Sequence, residues 1–444
     1  MKKETQQTFE KLKRAFRHQP PSRIIAVSFV LLILWGAAML CLPFSTKDGK
    51  GVDFLTALFT ATSAATTTGL GVVNVGQTYS VFGLVICAIL MQIGGIGVMA
   101  FGALMVIMMR RKMNLSTSIV FAESMNLNSR KTIVRFVRAV FVTTFSIELT
   151  GAAASFAVFV KDYPVAKALG LSFFHTIAAF NNAGMDALAG SSLFAYRDNV
   201  ALNLITVGIM FGGGLGFLVI RELVDTRLNW RKMSMHSKVV LLMEALLCVV
   251  GMFVIKLSQY GNVSWLGAFF QAEAARMGGF TTYDLSTFSN AAIILIYVWM
   301  FVGCAPGSTS GGIRTTTLFV LGMRVYNYSF NKEAHAFRYT ASADVYRKAG
   351  VALVLMLMTD MLGILLMTIF EPTIPLRDAA FECISAAGTV GMSTGITASL
   401  GVPARILIIL LMFVGRVGPM TVATMWYQSP GRRVHYPEGD ITVG

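Results

Sequence analysis

Hydrophobic positions along this chain gather into eight long runs, at 24–42, 79–109, 133–160, 199–220, 237–258, 289–324, 347–370 and 402–427. Each supplies the roughly 20 apolar residues needed to cross ~30 Å of hydrocarbon, although the sixth is interrupted. Between the members of each pair lies a shorter apolar stretch, at 54–68, 169–182, 263–276 and 376–388, rich in Ala, Thr and Phe. These four are too short to span, so the pattern predicts half-helices that enter a membrane and turn back.

The short stretches share a spacing. Anchored on Gly69, Gly184, Gly279 and Gly391, the residue ten positions earlier is Phe59, Phe174, Phe269 or Phe381, and five positions earlier stands Ala64, Ala179, Ala274 or Ala386. Successive anchors are 115, 95 and 112 residues apart, so four units of span, half-helix, loop and span fill nearly the whole chain. Such an internal repeat predicts an all-α integral membrane protein. Its eight transmembrane helices would form four span–pore-hairpin–span repeats around a central pore, with the sixth span broken by an intramembrane loop. The boundaries read as an N-terminal segment 1–23, repeats over 24–110, 133–225, 237–330 and 345–428, and a C-terminal tail 429–444.

Composition agrees. The chain is 55% hydrophobic and only 13% charged, with a mean hydropathy of +0.66, far too apolar for an ordinary soluble domain. Its formal charge of +15 is a topology signal. Lys2, Lys3, Lys11, Lys13, Arg14, Arg17 and Arg23 precede the first span, and Arg110, Arg111, Lys112, Arg130, Lys131, Arg135 and Arg138 follow the second. Later even-numbered connections carry Arg221, Arg227, Arg231, Lys232 and Lys238, then Arg324, Lys332, Arg338, Arg347 and Lys348. The opposite loops are nearly balanced, as with Lys47, Lys50, Asp48 and Asp53. Both termini are expected in the cytoplasm, with the hairpins entering from outside. Dispersal of the basic residues over separate loops argues against a nucleic-acid partner and leaves the lipid bilayer as the surface they meet. The first span follows a basic segment without a clear cleavage site and reads as an uncleaved helix.

The loops after the half-helices carry the candidate chemistry: Thr68-Gly69, Ala183-Gly184, Gly278-Gly279 and Val390-Gly391. Glycine adopts the φ/ψ values that aim successive carbonyls at one axis, where a Cβ would clash or narrow the hole. A ring of carbonyl oxygens replaces the hydration shell of a monovalent cation, and four half-helix C-termini would add negative dipole ends. The alternative is that these are only glycine-containing connections, a reading that fits one loop better than four in register. Thr389-Val390-Gly391 resembles the start of a potassium-channel filter and the other three loops depart from it, which predicts one good ion site with poorer neighbours.

The sixth run is broken over 303–315, where Gly303, Ala305, Pro306, Gly307, Ser308, Thr309, Ser310, Gly311, Gly312 and Arg314 cannot continue a straight helix. This segment is either a gate beneath the filter or a simple kink or turn. Arg416, in an otherwise apolar run, should face a cavity or the interior and find carbonyl or carboxylate partners. It is read as a gating cation or as a structural anchor for the loop. Glu148, Glu244, Asp360, Glu273 and Glu382 would bond helix to helix or hold a coupling ion. Gly208, Gly212 and Gly216 have the spacing of close helix packing. Cys41, Cys87, Cys248, Cys304 and Cys383 show no metal-type spacing and read as packing residues. No HExxH, Walker sequence or nucleophile signature supports an enzyme, and the five histidines, His18, His175, His236, His335 and His435, are dispersed.

Taken together, the four repeats, the filter glycines, Ala305-Pro306-Gly307-Ser308-Thr309 leading to Gly312-Ile313-Arg314-Thr315-Thr316-Thr317, and Gly415-Arg416-Val417-Gly418-Pro419 resemble the Trk/Ktr/HKT superfamily of potassium transporters, specifically its Ktr-type membrane subunit. The resemblance implies that Gly69, Gly184, Gly279 and Gly391 form a K+ filter through their backbone carbonyls. It implies that 303–315 is an intramembrane gate and that Arg416 takes part in gating. It further implies a multi-pass protein of a bacterial-type cell membrane, a homodimer with one pore per protomer, and a cytosolic ring of nucleotide-binding regulatory subunits on which ATP and ADP act. K+ is the transported ion, Na+ an activating one, and no covalent cofactor is implied. Glycine in all four repeats favours K+ over Na+, and Arg314 stands where the family often carries Lys. A K+ symporter coupled to Na+ or H+ is the alternative transport mechanism, and a non-transporting receptor or scaffold is the alternative from outside transport.

Overall fold

In the computed structural model, residues 21–97, 133–188, 192–331, 335–337 and 339–425 are described. The basic segment 1–20, the stretch 98–132 with Arg110, Arg111, Lys112, Arg130 and Lys131, residues Lys332 and Arg338, and the tail beyond 425 lie outside the described residues.

The chain builds the same unit four times. The first consists of α1 (Pro21–Leu40), the short α2 (Phe54–Ala65) and α3 (Val81–Ile96). The second has α4 (Ile133–Phe159), α5 (Val165–Phe180) and a pair α6 (Val200–Gly214) and α7 (Phe217–Thr226). The third has α8 (Met235–Ser258), α9 (Trp265–Ala274), α10 (Asn290–Phe301) and α11 (Thr315–Ser329), followed by a hairpin of β1 (His335–Ala336) and β2 (Tyr339–Thr340) with His335 opposite Thr340. The fourth has α12 (Ala343–Phe370), α13 (Leu376–Gly388), α14 (Val402–Val417) and α15 (Pro419–Thr424).

Local sequence starts each element. The short helices begin on Asp53, Pro164, Ser264 and Pro375, of which Asp53 and Ser264 cap their helix with a side-chain oxygen and the two prolines do not. Asp53 accepts from the amide of Thr56 at 3.0 Å and Ser264 from that of Gly267 at 3.0 Å. The helices that follow begin on Ser80, Asn199, Ser289 and Gly401, the first three with side-chain caps.

Among the described residues, four helices are long and apolar enough to cross a membrane by length and composition, and each is the first helix of its unit: Ser22–Leu40, Val137–Phe159, Met235–Ser258 and Ala343–Phe370. Only 22–39% of these windows is buried. Leu31, Leu149, Leu246, Leu362 and Leu365 are exposed on them, an arrangement that suits hydrocarbon and not water. The half-helices lie inside. Ala64, Ala179, Ala274 and Ala386 are fully buried, as are Phe59 and Phe381.

The second helix departs from expectation in the first, second and fourth units. The run at 199–220 is not one helix, because α6 and α7 meet at a 99° bend. Gly216 adopts φ +80° there, a left-handed conformation that ends a right-handed helix. The break expected only in the sixth run thus has counterparts: α3 ends at Gly97 (φ +96°) and α14 at Gly418 (φ +93°). Of the expected packing stripe, Gly212 lies against Ile147 and Gly216, at the bend, against Pro306 O, whereas Gly208 faces open space.

Candidate functional site

Each half-helix ends in a tight turn bonded to the alanine of the repeat. The amides of Thr67, Asn182, Gly278 and Thr389 donate to the carbonyls of Ala64 (3.1 Å), Ala179 (3.2 Å), Ala274 (3.2 Å) and Ala386 (3.1 Å). Chain direction then reverses through positive φ at Thr67 (+53°), Asn182 (+55°) and Thr389 (+50°), a conformation that a β-branched residue rarely accepts. The third unit differs, since Met277 is absent from this left-handed set among the described residues. Gly69, Gly184, Gly279 and Gly391 follow at φ +103°, +61°, +65° and +92°. Ser63 and Ser385, six residues before their glycines, accept from the amides of Gly69 (2.9 Å) and Gly391 (3.1 Å).

The four loops close a ring. A Cβ on Gly69 would collide with the carbonyl oxygen of Ala183, one on Gly184 would lie 2.8 Å from that of Gly278, one on Gly279 would strike that of Val390, and one on Gly391 that of Thr68. Every anchor glycine therefore abuts the carbonyl before the anchor of the next unit, and the fourth returns to the first. All eight residues of the sequence-derived filter set meet here. Thr68, Ala183, Gly278, Gly279 and Val390 are buried, and Gly69, Gly184 and Gly391 are partly open on one side to a vestibule of about 480 Å³. Asp186, Ser192, Asp284, Ser393 and Thr394 help to line it.

On the other side of the ring lies the interrupted sixth run. Its neck is pinned by a parallel bridge between Val302 and Ile313, with the Ile313 amide donating to Phe301 O at 3.1 Å, so residues 303–312 form an excursion with joined ends. The excursion hydrogen-bonds to all four glycine loops. Thr67 Oγ1 donates to Thr309 O (3.1 Å), Thr309 Oγ1 to Phe180 O (3.1 Å), and the Gly311 amide to Thr389 Oγ1 (2.8 Å). Cys304 Sγ donates to Arg276 O (3.5 Å). The Asn182 side chain stands 2.9 Å from Thr309 Oγ1, its Nδ2 donating there while the single Thr309 hydroxyl hydrogen goes to Phe180 O. Gly303, Cys304, Ala305, Thr309, Ser310 and Gly311 are buried, whereas Pro306, Gly307, Ser308, Gly312 and Arg314 are partly exposed. Arg314 holds the loop from within, donating to Ser310 O (2.7 Å) and Ser308 Oγ (3.2 Å).

Arg416 finds the carbonyl partners expected of a cation in an apolar run. It donates to Thr309 O, Gly94 O and, at 2.9 Å, Gly95 O. One guanidinium thus joins the last unit, the first unit and the loop.

Two features went unread in the sequence. The first is a second glycine pattern, Gly94-Gly95-Ile96-Gly97, Gly213-Gly214-Leu215-Gly216 and Gly415-Arg416-Val417-Gly418, beginning 25, 29 and 24 residues after the filter anchors. In the third unit Gly303-Cys304-Ala305-Pro306 starts 24 residues after its anchor. The first glycine of each complete pattern presses on a half-helix carbonyl: Gly94 on Ala65 O, Gly213 on Phe180 O, Gly415 on Ala387 O. Near-constant spacing was the available signal. The second is Arg276, fully buried behind the third loop. Its Nη2 lies 2.6 Å from Glu244 Oε2 and its Nη1 3.9 Å from Glu273 Oε1, all with side chains 0% exposed. The opposite charges of Glu244, Glu273 and Arg276 inside apolar runs pointed to it.

Glu148 and Glu382 bond between elements. Glu148 accepts from Gln92 Nε2 (3.1 Å) and Asn181 Nδ2 (3.4 Å), while Glu382 accepts from Thr397 Oγ1 (3.0 Å) and from Ser393 Oγ. Asp360 Oδ1 is buried without a hydrogen-bond partner. All five cysteines are free, and no group of His, Cys, Asp and Glu among the described residues could hold a metal ion.

Comparison with known proteins defines the class. The family model described as TrkH, cation transport protein, matches residues 2–431, and the chain belongs to this family. It is 33% identical to Ktr system potassium uptake protein B of Bacillus subtilis over 98% of this chain and 99% of that one. It is 32% identical to the potassium/sodium uptake protein NtpJ of Enterococcus hirae over 97% and 99% of the two chains. The crystal structure of the potassium transporter TrkH from Vibrio parahaemolyticus superimposes with a TM-score of 0.70 at 16% identity, over 90% of this chain and 85% of that one, a likeness of fold.

Proposed function

We propose that this chain is the ion-translocating membrane subunit of a Ktr-type potassium uptake system, conducting dehydrated K+ through the ring of Gly69, Gly184, Gly279 and Gly391. The observation that carries this reading is the closed order of contacts in which each anchor glycine abuts the carbonyl before the next. A backbone so arranged surrounds an axis with oxygen and exposes no side chain to the ion, which suits replacement of a hydration shell. The four half-helices end at the ring, and their C-terminal dipoles favour a cation without an acidic residue in the ring itself.

The eight-span topology, with both termini cytoplasmic and the vestibule outside, belongs to the same reading. The shorter second helices, α3, α6, α10 and α14, line the path and break at their glycines. Loop 303–315 is the gate and Arg416 its tether. The relatives named as parts of a Ktr system support a regulatory partner; a homodimeric assembly, ATP or ADP acting on that partner and Na+ acting as an activator complete the proposal. Channel-like conduction is favoured over Na+- or H+-coupled symport because Glu148 and Glu382 accept hydrogen bonds from neighbouring side chains and Glu244 is paired with Arg276.

The test is ⁸⁶Rb+ uptake into proteoliposomes under an inside-negative potential, with the full chain and with residues 305–312 shortened. Uptake blocked by K+ and not by Na+, and raised by the shortening, is expected. Loop-shortened protein that is folded yet conducts no cation would refute the reading.

A further inference from the structure

A cavity of about 650 Å³ opens between α11 and α12 and shares no lining residue with the vestibule above the glycine ring. One end is polar, lined by Arg324 of α11 and by Tyr346 and Arg347 of the first turn of α12; the other is apolar, lined by Val351, Val354 and Leu355. From Ala343 to Leu355 the α12 wall runs roughly 18 Å at 1.5 Å per residue. Tyr346 is only 8% exposed, and its hydroxyl is buried without a hydrogen-bond partner among the described residues. A buried hydroxyl in that state is uncommon in a folded protein. The Arg324 guanidinium stands over the Tyr346 ring, 5.1 Å from its centroid. Arg347 lies 2.5 Å and Lys348 2.9 Å from the Asp344 carboxylate, so the polar end holds three cations against one carboxylate. These pairs are exposed and within one turn, where ion pairing is weak, so Arg347 is free to take another anion. Ser342 starts α12 without a side-chain cap, which leaves the positive end of that helix at the same mouth.

We propose that this cavity binds the headgroup phosphate of an anionic phospholipid, whose acyl chains lie along α12. The planar forks of Arg324 and Arg347 suit phosphate oxygens, and the Tyr346 O–H donates to one of them. What marks the occupant as a lipid is the track beneath the mouth. Val351, Val354, Met358, Leu362 and Leu365 are exposed at intervals of three or four residues, one apolar face that continues down the helix. Of the four helices able to cross a membrane, α12 is the least buried, at 22% of its window. Basic side chains at the membrane end of two helices, above an apolar face, are the chemistry that holds an anionic headgroup. A soluble phosphate would use the mouth and leave the track bare, and a second copy of the chain packed on the track would bring no phosphate to the mouth. Bound in this way, the lipid ties α11, which leaves the interrupted sixth run at Thr315, to the first helix of the fourth unit. Such binding requires α12 to lie in a bilayer and is independent of what passes through the glycine ring.

The test is native mass spectrometry of the full chain in detergent, titrated with dioleoyl phosphatidylglycerol, with dioleoyl phosphatidylcholine and with glycerophosphate. One phosphatidylglycerol per chain is expected to bind about tenfold more tightly than phosphatidylcholine, as charge-assisted hydrogen bonds to the phosphate demand, with no binding of glycerophosphate. Arg324→Gln combined with Arg347→Gln should weaken that first site about tenfold, and Tyr346→Phe, which removes only the oxygen, about threefold. Added phosphatidylglycerol should also raise the melting temperature of the parent more than that of the double variant, because a ligand of the folded state stabilises it. Equal phosphatidylglycerol affinity in the parent and the folded variants would overturn the site. Glycerophosphate bound as tightly as the lipid would overturn it in favour of a soluble phosphate. A double variant that becomes monomeric with its lipid binding unchanged would assign the face to a second copy of the chain. Val354→Trp, which leaves the polar end intact, supplies the second measurement. Brominated phosphatidylglycerol should quench the added fluorescence more than brominated phosphatidylcholine does, and equal quenching would count against an anionic lipid held at this place.

Discussion

Gly391 abuts Thr68: a Cβ on the glycine would overlap the threonine carbonyl oxygen, and this contact joins the last repeat to the first across the ring. No other residue type fits, for two separate reasons. The backbone is left-handed at φ +92°, and the space a side chain would need is filled by main chain.

Gly391→Ala should therefore damage both folding and selectivity. The left-handed conformation costs an alanine roughly 1–2 kcal/mol, and overpacking against a fixed carbonyl adds about 1–3 kcal/mol. Lower thermal stability in detergent is expected, together with weaker K+ preference over Na+ in ⁸⁶Rb+ competition. Gly395→Ala is the control, since its φ is +97° but nothing lies near its Cβ direction. It should lose a little stability and leave selectivity unchanged.

Arg416→Lys keeps the charge and loses the geometry. An ammonium on a flexible stem cannot reproduce a planar fork that reaches the carbonyls of Thr309, Gly94 and Gly95 at once. With its tether to Thr309 weakened, the loop should spend more time away from the ring. Higher ⁸⁶Rb+ uptake in the absence of any partner is the expected result, and lower uptake at equal folded protein would assign Arg416 to conduction instead of closure.

The buried ion group behind the third loop should matter more for folding than for flux. Arg276→Met leaves Glu244 and Glu273 without a cation in a fully buried setting, a loss of about 3–5 kcal/mol. Glu244→Gln removes the carboxylate 2.6 Å from the guanidinium and Glu273→Gln one 3.9 Å away. The first should lower the melting temperature more than the second, as followed by thermal unfolding in detergent.

The second glycine pattern makes a packing prediction. Gly94→Ala drives a methyl group into Ala65 O, whereas Gly208→Ala points into open space. A drop of about 1–3 kcal/mol is expected for the first. The second should be neutral or slightly stabilising, because alanine favours helix more than glycine does. Melting curves of the two proteins side by side decide it.

Much of the architecture was legible along the chain because its causes are local. A half-helix too short to span, its capping residue, the buried alanine five before the anchor and the anchor itself all follow from hydropathy, turn chemistry and the steric freedom of glycine. Gly69, Gly184, Gly279 and Gly391 could thus be brought together on spacing alone. The second pattern was legible on the same grounds and was missed at Gly94–Gly97 and Gly213–Gly216. Those glycines sit inside apolar runs, where hydropathy reads through a break that only φ reveals.

What the sequence determined by itself was the unit, its fourfold use and the glycines that mark its turns, since each is set by short-range sterics and by the apolar length needed to cross a bilayer. Tertiary structure alone decided the partners. Thr309 meets Thr67, the backbone of Phe180 and Arg416, residues from three other repeats, and Arg276 meets Glu244, 32 positions away. Such pairings carry no periodicity, because they depend on how four separately coded units close around one axis and on which polar groups are left buried when they do.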